Sequence, residues 1–196
     1  MKTKPQEIHP PYFLFVLAAI PIFLINFLLP PHPLTPTHMA IAAFVDDHLF
    51  GEVGFWSSLF PFSSKVTANY LACFGPLFAL FAFYKSYLTM EIDPTQYVHY
   101  RPWKFALMPA AIAFYMLLFL AMFYLGSTDL AKNTRKYAFY GAYRFTFSLF
   151  SASTLVIFYM TAILLHRCFF YIPGLLLERW KAKRSKNRSQ DRAGGL

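Results

Sequence analysis

Four stretches of this chain, residues 12–30, 66–84, 105–125 and 145–165, contain no Asp, Glu, Lys, Arg or His. About 20 apolar residues are enough to cross the hydrocarbon core of a bilayer. In hydrocarbon the backbone must satisfy its own N–H and C=O groups, so each stretch is constrained to be a helix. The pattern predicts an all-α protein: an integral membrane four-helix bundle with four transmembrane spans. Composition agrees, because only 14% of the 196 residues are charged, against roughly a quarter in a soluble domain.

The first stretch follows Lys2 and Lys4, as a secretory signal would. Its apolar length exceeds the usual signal core of roughly 7–15 residues. It also runs into Leu-Pro-Pro-His-Pro, and Ala40-Ile41-Ala42 comes too late for a cleavage site. It is therefore expected to remain as an uncleaved span. Cys73 and Cys168 form no CxxC pair, so neither a disulfide framework nor a thiol redox site is indicated.

Orientation follows from the basic residues, which accumulate on the cytoplasmic side near span ends. Residues 166–196 carry eight Lys/Arg and two acids, which places the C-terminus inside. Four spans then place the N-terminus inside as well, so both termini are expected to be cytoplasmic. Lys2, Lys4, Lys85, Arg101, Lys104 and the tail face inward, leaving five Lys/Arg outside. Residues 1–180 make the membrane domain, and 181–196 a basic, disordered tail near anionic lipid.

Four of the five outward basic residues, Lys132, Arg135, Lys136 and Arg144, fall in one short segment with Tyr137, Phe139, Tyr140 and Tyr143. Two explanations stand. The segment balances Asp46, Asp47 and Glu52 of the other outward loop, residues 31–65, or its basic residues with Tyr140 and Tyr143 meet an acidic partner or lipid headgroups. In that other loop, residues 39–50 read as a short amphipathic helix on the membrane surface. Trp56, Phe60 and Phe62 are expected to dip into the interface.

Within the spans, Ala68, Ala72, Gly75, Ala79 and Ala82 recur at separations of four and three, one helical stripe. Small residues let membrane helices approach closely. Ala106, Ala110 and Ala113 make a shorter stripe in span three, and Ser148, Ser151, Ser153, Thr154 and Thr161 a polar face in span four. Each serves packing within the bundle or docking of a foreign helix. Asn26 is placed to bond a neighbouring helix. Pro21, Pro76 and Pro109 lie inside spans, and Pro173-Gly174 reads as a break after the fourth.

Residues suited to catalysis are sparse. His32, His38, Asp46, Asp47 and His48 share the first outward loop, without HxxxH or HExxH spacing. All six His lie outside the spans, whereas a haem bundle uses ligands inside the membrane. No Walker A or GxSxG motif occurs. The spans hold no ionisable Asp, Glu, Lys, Arg or His of the kind an ion pathway uses. Helix recognition by another membrane-embedded chain is the function class this leaves.

Three segments carry a resemblance: SSKVTANYLACFGPLFAL at 63–80, KFALMPAAIAFYMLLF at 104–119, and the basic tail directly after span four. In these, in span order and in loop sizes, the chain resembles the colicin A-type immunity proteins that bacteria make against pore-forming bacteriocins. The resemblance implies a multi-pass protein of the bacterial inner membrane. It would bind the pore-forming domain of a toxin through helix–helix recognition in the bilayer and keep the channel from opening, with outward loops aiding specificity. It implies no cofactor, no metal and no catalytic residue. Two other readings remain: a non-catalytic accessory subunit of a larger membrane complex, and a small membrane enzyme acting on lipid or quinone, centred on the His and Asp of the first loop.

Overall fold

All four apolar runs are helical, and three of the helices outrun them. In this computed structural model the described residues are 10–88, 102–132 and 135–174, with 176–177, 180–181 and 184 beyond, and with backbone alone at 102–106, 108, 135 and 136. The chain order is α1 (Tyr12–Leu28), α2 (Pro36–His48), β1 (Gly54–Trp56), α3 (Pro61–Leu88), α4 (Pro102–Leu125), β2 (Ser127–Asp129), α5 (Arg135–Ala142) and α6 (Arg144–His166). Two helices, Pro61–Leu88 and Arg144–Gly174, are long and apolar enough to cross a membrane by length and composition; Tyr12–Leu28 and Pro109–Leu125 are shorter apolar helices. Most of segments 85–104 and 181–196 lies outside the described residues.

Helix α6 is central, packing against α1, α3 and α4. All five small residues of the α3 stripe are buried, so the stripe is an internal seam. At Gly75 the absence of a side chain matters most: a Cβ there would lie 2.6 Å from the Phe158 ring of α6. Most of the polar face of α6 is buried as well. Ser148, Ser151, Thr154 and Thr161 are buried. The hydroxyls of Ser148, Thr154 and Thr161 donate to carbonyls one turn back, those of Arg144, Phe150 and Ile157. Such back-bonding removes the cost of burying a hydroxyl. Ser153 is exposed and bonds likewise to Leu149 O. Of the α4 stripe, Ala113 is buried and Ala110 exposed, and the Ala106 side chain lies outside the described residues.

Prolines inside helices leave a carbonyl four residues back without its amide donor. Pro76 strands Ala72 O in this way, and the Tyr124 hydroxyl of α4 donates to it at 2.7 Å. Near Pro21 of α1, Tyr70 donates to Ala18 O at 3.0 Å. Tyrosines from neighbouring helices thus supply donors beside two of the prolines. Pro173 does not break the chain's last long helix. The turn Arg167–Tyr171 widens into a π-helix, Ile172 N–H donates to Arg167 O, and helix continues to Gly174. The Pro173 ring lacks an N–H, and the widened turn lies where its i−4 bond would have been.

The Asn26 side chain stays within its own helix. Its Nδ2 donates to Ile22 O at 2.9 Å, one turn back, and the residue is fully buried. The link to a neighbour comes from its backbone carbonyl, described below.

Candidate interaction surface

The segments between α1 and α3 and between α4 and α6 meet at one end of the bundle. There β1 pairs with β2 in parallel, Gly54 opposite Ser127, Phe55 opposite Thr128 and Trp56 opposite Asp129. Gly54 has φ +66°, and Phe123 occupies the place its Cβ would take. Only glycine satisfies both conditions. Gly54 N–H donates to Gly126 O and Leu130 N–H to Trp56 O, both at 2.9 Å. The Trp56 indole donates to Ser127 Oγ at 2.9 Å.

Three side chains lock the segments further. Ser57 is fully buried, and its hydroxyl donates to Gly141 O of α5 at 2.6 Å. Asp129 Oδ1 accepts from the Ser58 and Ala131 amides, each at 3.0 Å. Asn69 of α3 accepts from Phe50 N–H at 2.9 Å, and donates to Gly51 O at 2.7 Å and Lys65 O at 3.0 Å. Burial alone would raise the Asp129 pKa, but the Ser58 and Ala131 hydrogen bonds and the nearby Lys132 together hold it below the ordinary carboxylate value.

Phe60 and Phe62 do not dip into a membrane interface; both are buried. Phe60 packs edge-on against Phe147 of α6, and Phe62 lies against His38. The bonded loops give these rings protein to pack on, and burial there removes them from any outer surface. Helix α2 starts at Pro36, with Thr35 as its cap: Thr35 Oγ1 accepts from His38 N–H at 3.2 Å. It carries Val45 into the protein and leaves Met39 and Phe44 exposed.

The sequence-chosen residues take different positions. Lys132 is exposed, with its ammonium 3.8 Å from Asp129 Oδ2. Tyr140 and Tyr143 are exposed alongside Tyr137, Phe139 and Phe145, and Phe139 contacts both of them edge-on. Arg144 faces inward instead. Its Nη1 donates to Asn26 O and Leu29 O, each at 3.0 Å, and so holds the carbonyl end of α1. A cation there also complements the helix dipole. The Arg135 and Lys136 side chains lie outside the described residues.

The acids of the first loop are not balanced by the basic segment through the ion pairs seen among the described residues. Asp46 pairs with Lys65 of α3, and Lys132 with Asp129 of its own loop. The first-loop histidines and acids are also dispersed. His48 stacks on Phe44 and His38 on Phe62, and no group of three His, Cys, Asp or Glu suited to a metal occurs among the described residues.

Sequence reading did not single out Ser57, Asn69 or Asp129 as ties. Asp129 carried one signal, as the only acid of its segment. It also missed a cavity of about 170 Å³ between α2 and the start of α3. The surface as a whole is a bonded platform with an aromatic rim. Compared with known proteins, the chain matches no family model, no curated sequence and no solved structure.

Proposed function

We propose that this chain is an immunity-type protein of the bacterial inner membrane that binds a pore-forming toxin domain and prevents its channel from opening. The observation that carries the reading is the platform itself. Two segments far apart in sequence are bonded into one face, and that face presents Tyr137, Phe139, Tyr140 and Tyr143 beside the exposed Lys132. Rigid aromatic side chains beside a cation suit recognition of another protein, because they supply contact area at small cost in conformational entropy.

In this reading α1 and α4 span with α3 and α6, the termini are cytoplasmic and the platform faces outward. Helix α1 has 17 residues, about 26 Å at ~1.5 Å per residue and near the lower limit for spanning. The buried seam between α3 and α6 holds two of the chain's own helices together. The broad exposed face of α4, with Phe114, Leu118 and Met122, is then available to lipid or to an inserting toxin helix.

The test is protection. The chain is expressed in a sensitive cell, challenged with pore-forming toxins of the colicin A type, and membrane potential is followed. Retained potential supports immunity. Collapse with every toxin, the protein being shown to be inserted, removes the reading and favours an accessory subunit of a larger complex. Substitutions of Lys132, Arg135 and Lys136 probe the platform without disturbing the Arg144 contact with α1, and are expected to weaken protection while leaving insertion intact.

A further inference from the structure

The cavity between α2 and the start of α3 has a chemistry that protection from a toxin does not require. Its walls are Pro33, Ala42, Val53, Trp56, Pro61 and Phe62, and its two charged residues are Glu52 and Lys65. The volume, about 170 Å³, is that of a site for one ring; about 150 Å³ suffices for benzene. The walls are held in place. Val53 and Phe62 are buried, Phe62 packs on His38, and the Trp56 indole is bonded to Ser127.

The charge is one-sided. Lys65 is paired with Asp46, whereas Glu52 is exposed and has no ion-pair partner among the described residues. An apolar pocket with two aromatic rings in its wall and one uncompensated carboxylate selects against anions and favours a cation with an apolar body. We propose that this cavity binds an organic ammonium group carried on an apolar body of about one ring, with Glu52 meeting the charge and Trp56 and Phe62 the apolar part. The ligand class is a free amine of that size. The proposal is independent of the toxin reading.

The test uses the full chain in detergent with Trp103→Phe and Trp180→Phe, so that Trp56 is the only indole reporter. It is titrated with phenethylammonium, with neutral 2-phenylethanol and with phenylacetate. The expected result is a saturable change in Trp56 emission with phenethylammonium, at an affinity at least ten-fold above that for 2-phenylethanol, and none with phenylacetate. Glu52→Gln should bring the amine and the alcohol to equal affinity. Ala42→Leu, which fills the cavity, should abolish the response to both. Equal binding of amine and alcohol by the unsubstituted pocket, or an undiminished response in either variant, would overturn the proposal.

Discussion

Gly75 and Arg144 show how single residues hold this bundle. At Gly75 two effects oppose each other. A larger residue gains about 1 kcal/mol of helix propensity over glycine, but it must enter the space of the Phe158 ring, and overpacking a filled core costs about 1–3 kcal/mol or more. With a Cβ already 2.6 Å from that ring, the steric term wins. Gly75→Leu is expected to lower the melting temperature in detergent, and an unchanged melting curve would show that the seam is not tightly packed. Arg144 donates two hydrogen bonds to the end of α1. Hydrogen bonds involving a charged group contribute about 1.5–3 kcal/mol, so Arg144→Gln should destabilise by about that amount. Lys132→Gln should lower the melting temperature far less, because its ion pair with Asp129 is made from an exposed position and such pairs contribute little. Equal melting of the two variants would remove the structural role of Arg144.

Among the elements, the β1–β2 pair depends on one carboxylate. Asp129 receives the Ser58 and Ala131 amides, and its pKa lies below the ordinary value. A group whose folded pKa is depressed binds protons more weakly in the folded state. Its stabilising contribution is therefore present above the unfolded pKa, about 3.9, and is lost as pH falls through the lower folded value. Thermal stability should accordingly decline below about pH 4 by this route. Asp129→Asn should be less stable at neutral pH and show a shallower acid dependence. Parallel acid profiles for the two proteins would show that Asp129 does not contribute. Hydrogen exchange at Leu130, whose amide bonds Trp56 O, reports whether the strand pair opens in the variant.

For the whole molecule, the proposed arrangement places the platform on one side of a membrane and both termini on the other. With Cys73 and Cys168 replaced by Ala, Leu59→Cys is expected to react with a membrane-impermeant maleimide in intact cells. Ser189→Cys should react only after the membrane is opened. Leu59 is exposed beside the strand pair, so its failure to label would not be explained by burial. Reaction of both cysteines in intact cells, or of neither, would overturn the arrangement.

The apolar runs alone determined that the chain would be helical and where its long helices lie, because run length and absence of charge are local properties. The α3 seam was legible for the same reason: its spacing of three and four repeats within one helix. Nothing local marks Ser57 as the partner of Gly141, or Arg144 as the residue that holds Asn26 O and Leu29 O. Those pairs are 84 or more residues apart, and only packing of α6 beside α1 and the joining of two loops brings them together. Phe60 and Phe62 make the same point, since an aromatic residue reads alike in sequence whether it will meet lipid or protein. The tertiary structure decided that they meet protein, because the Ser57, Asn69 and Asp129 bonds draw the loops down onto α3 and α6.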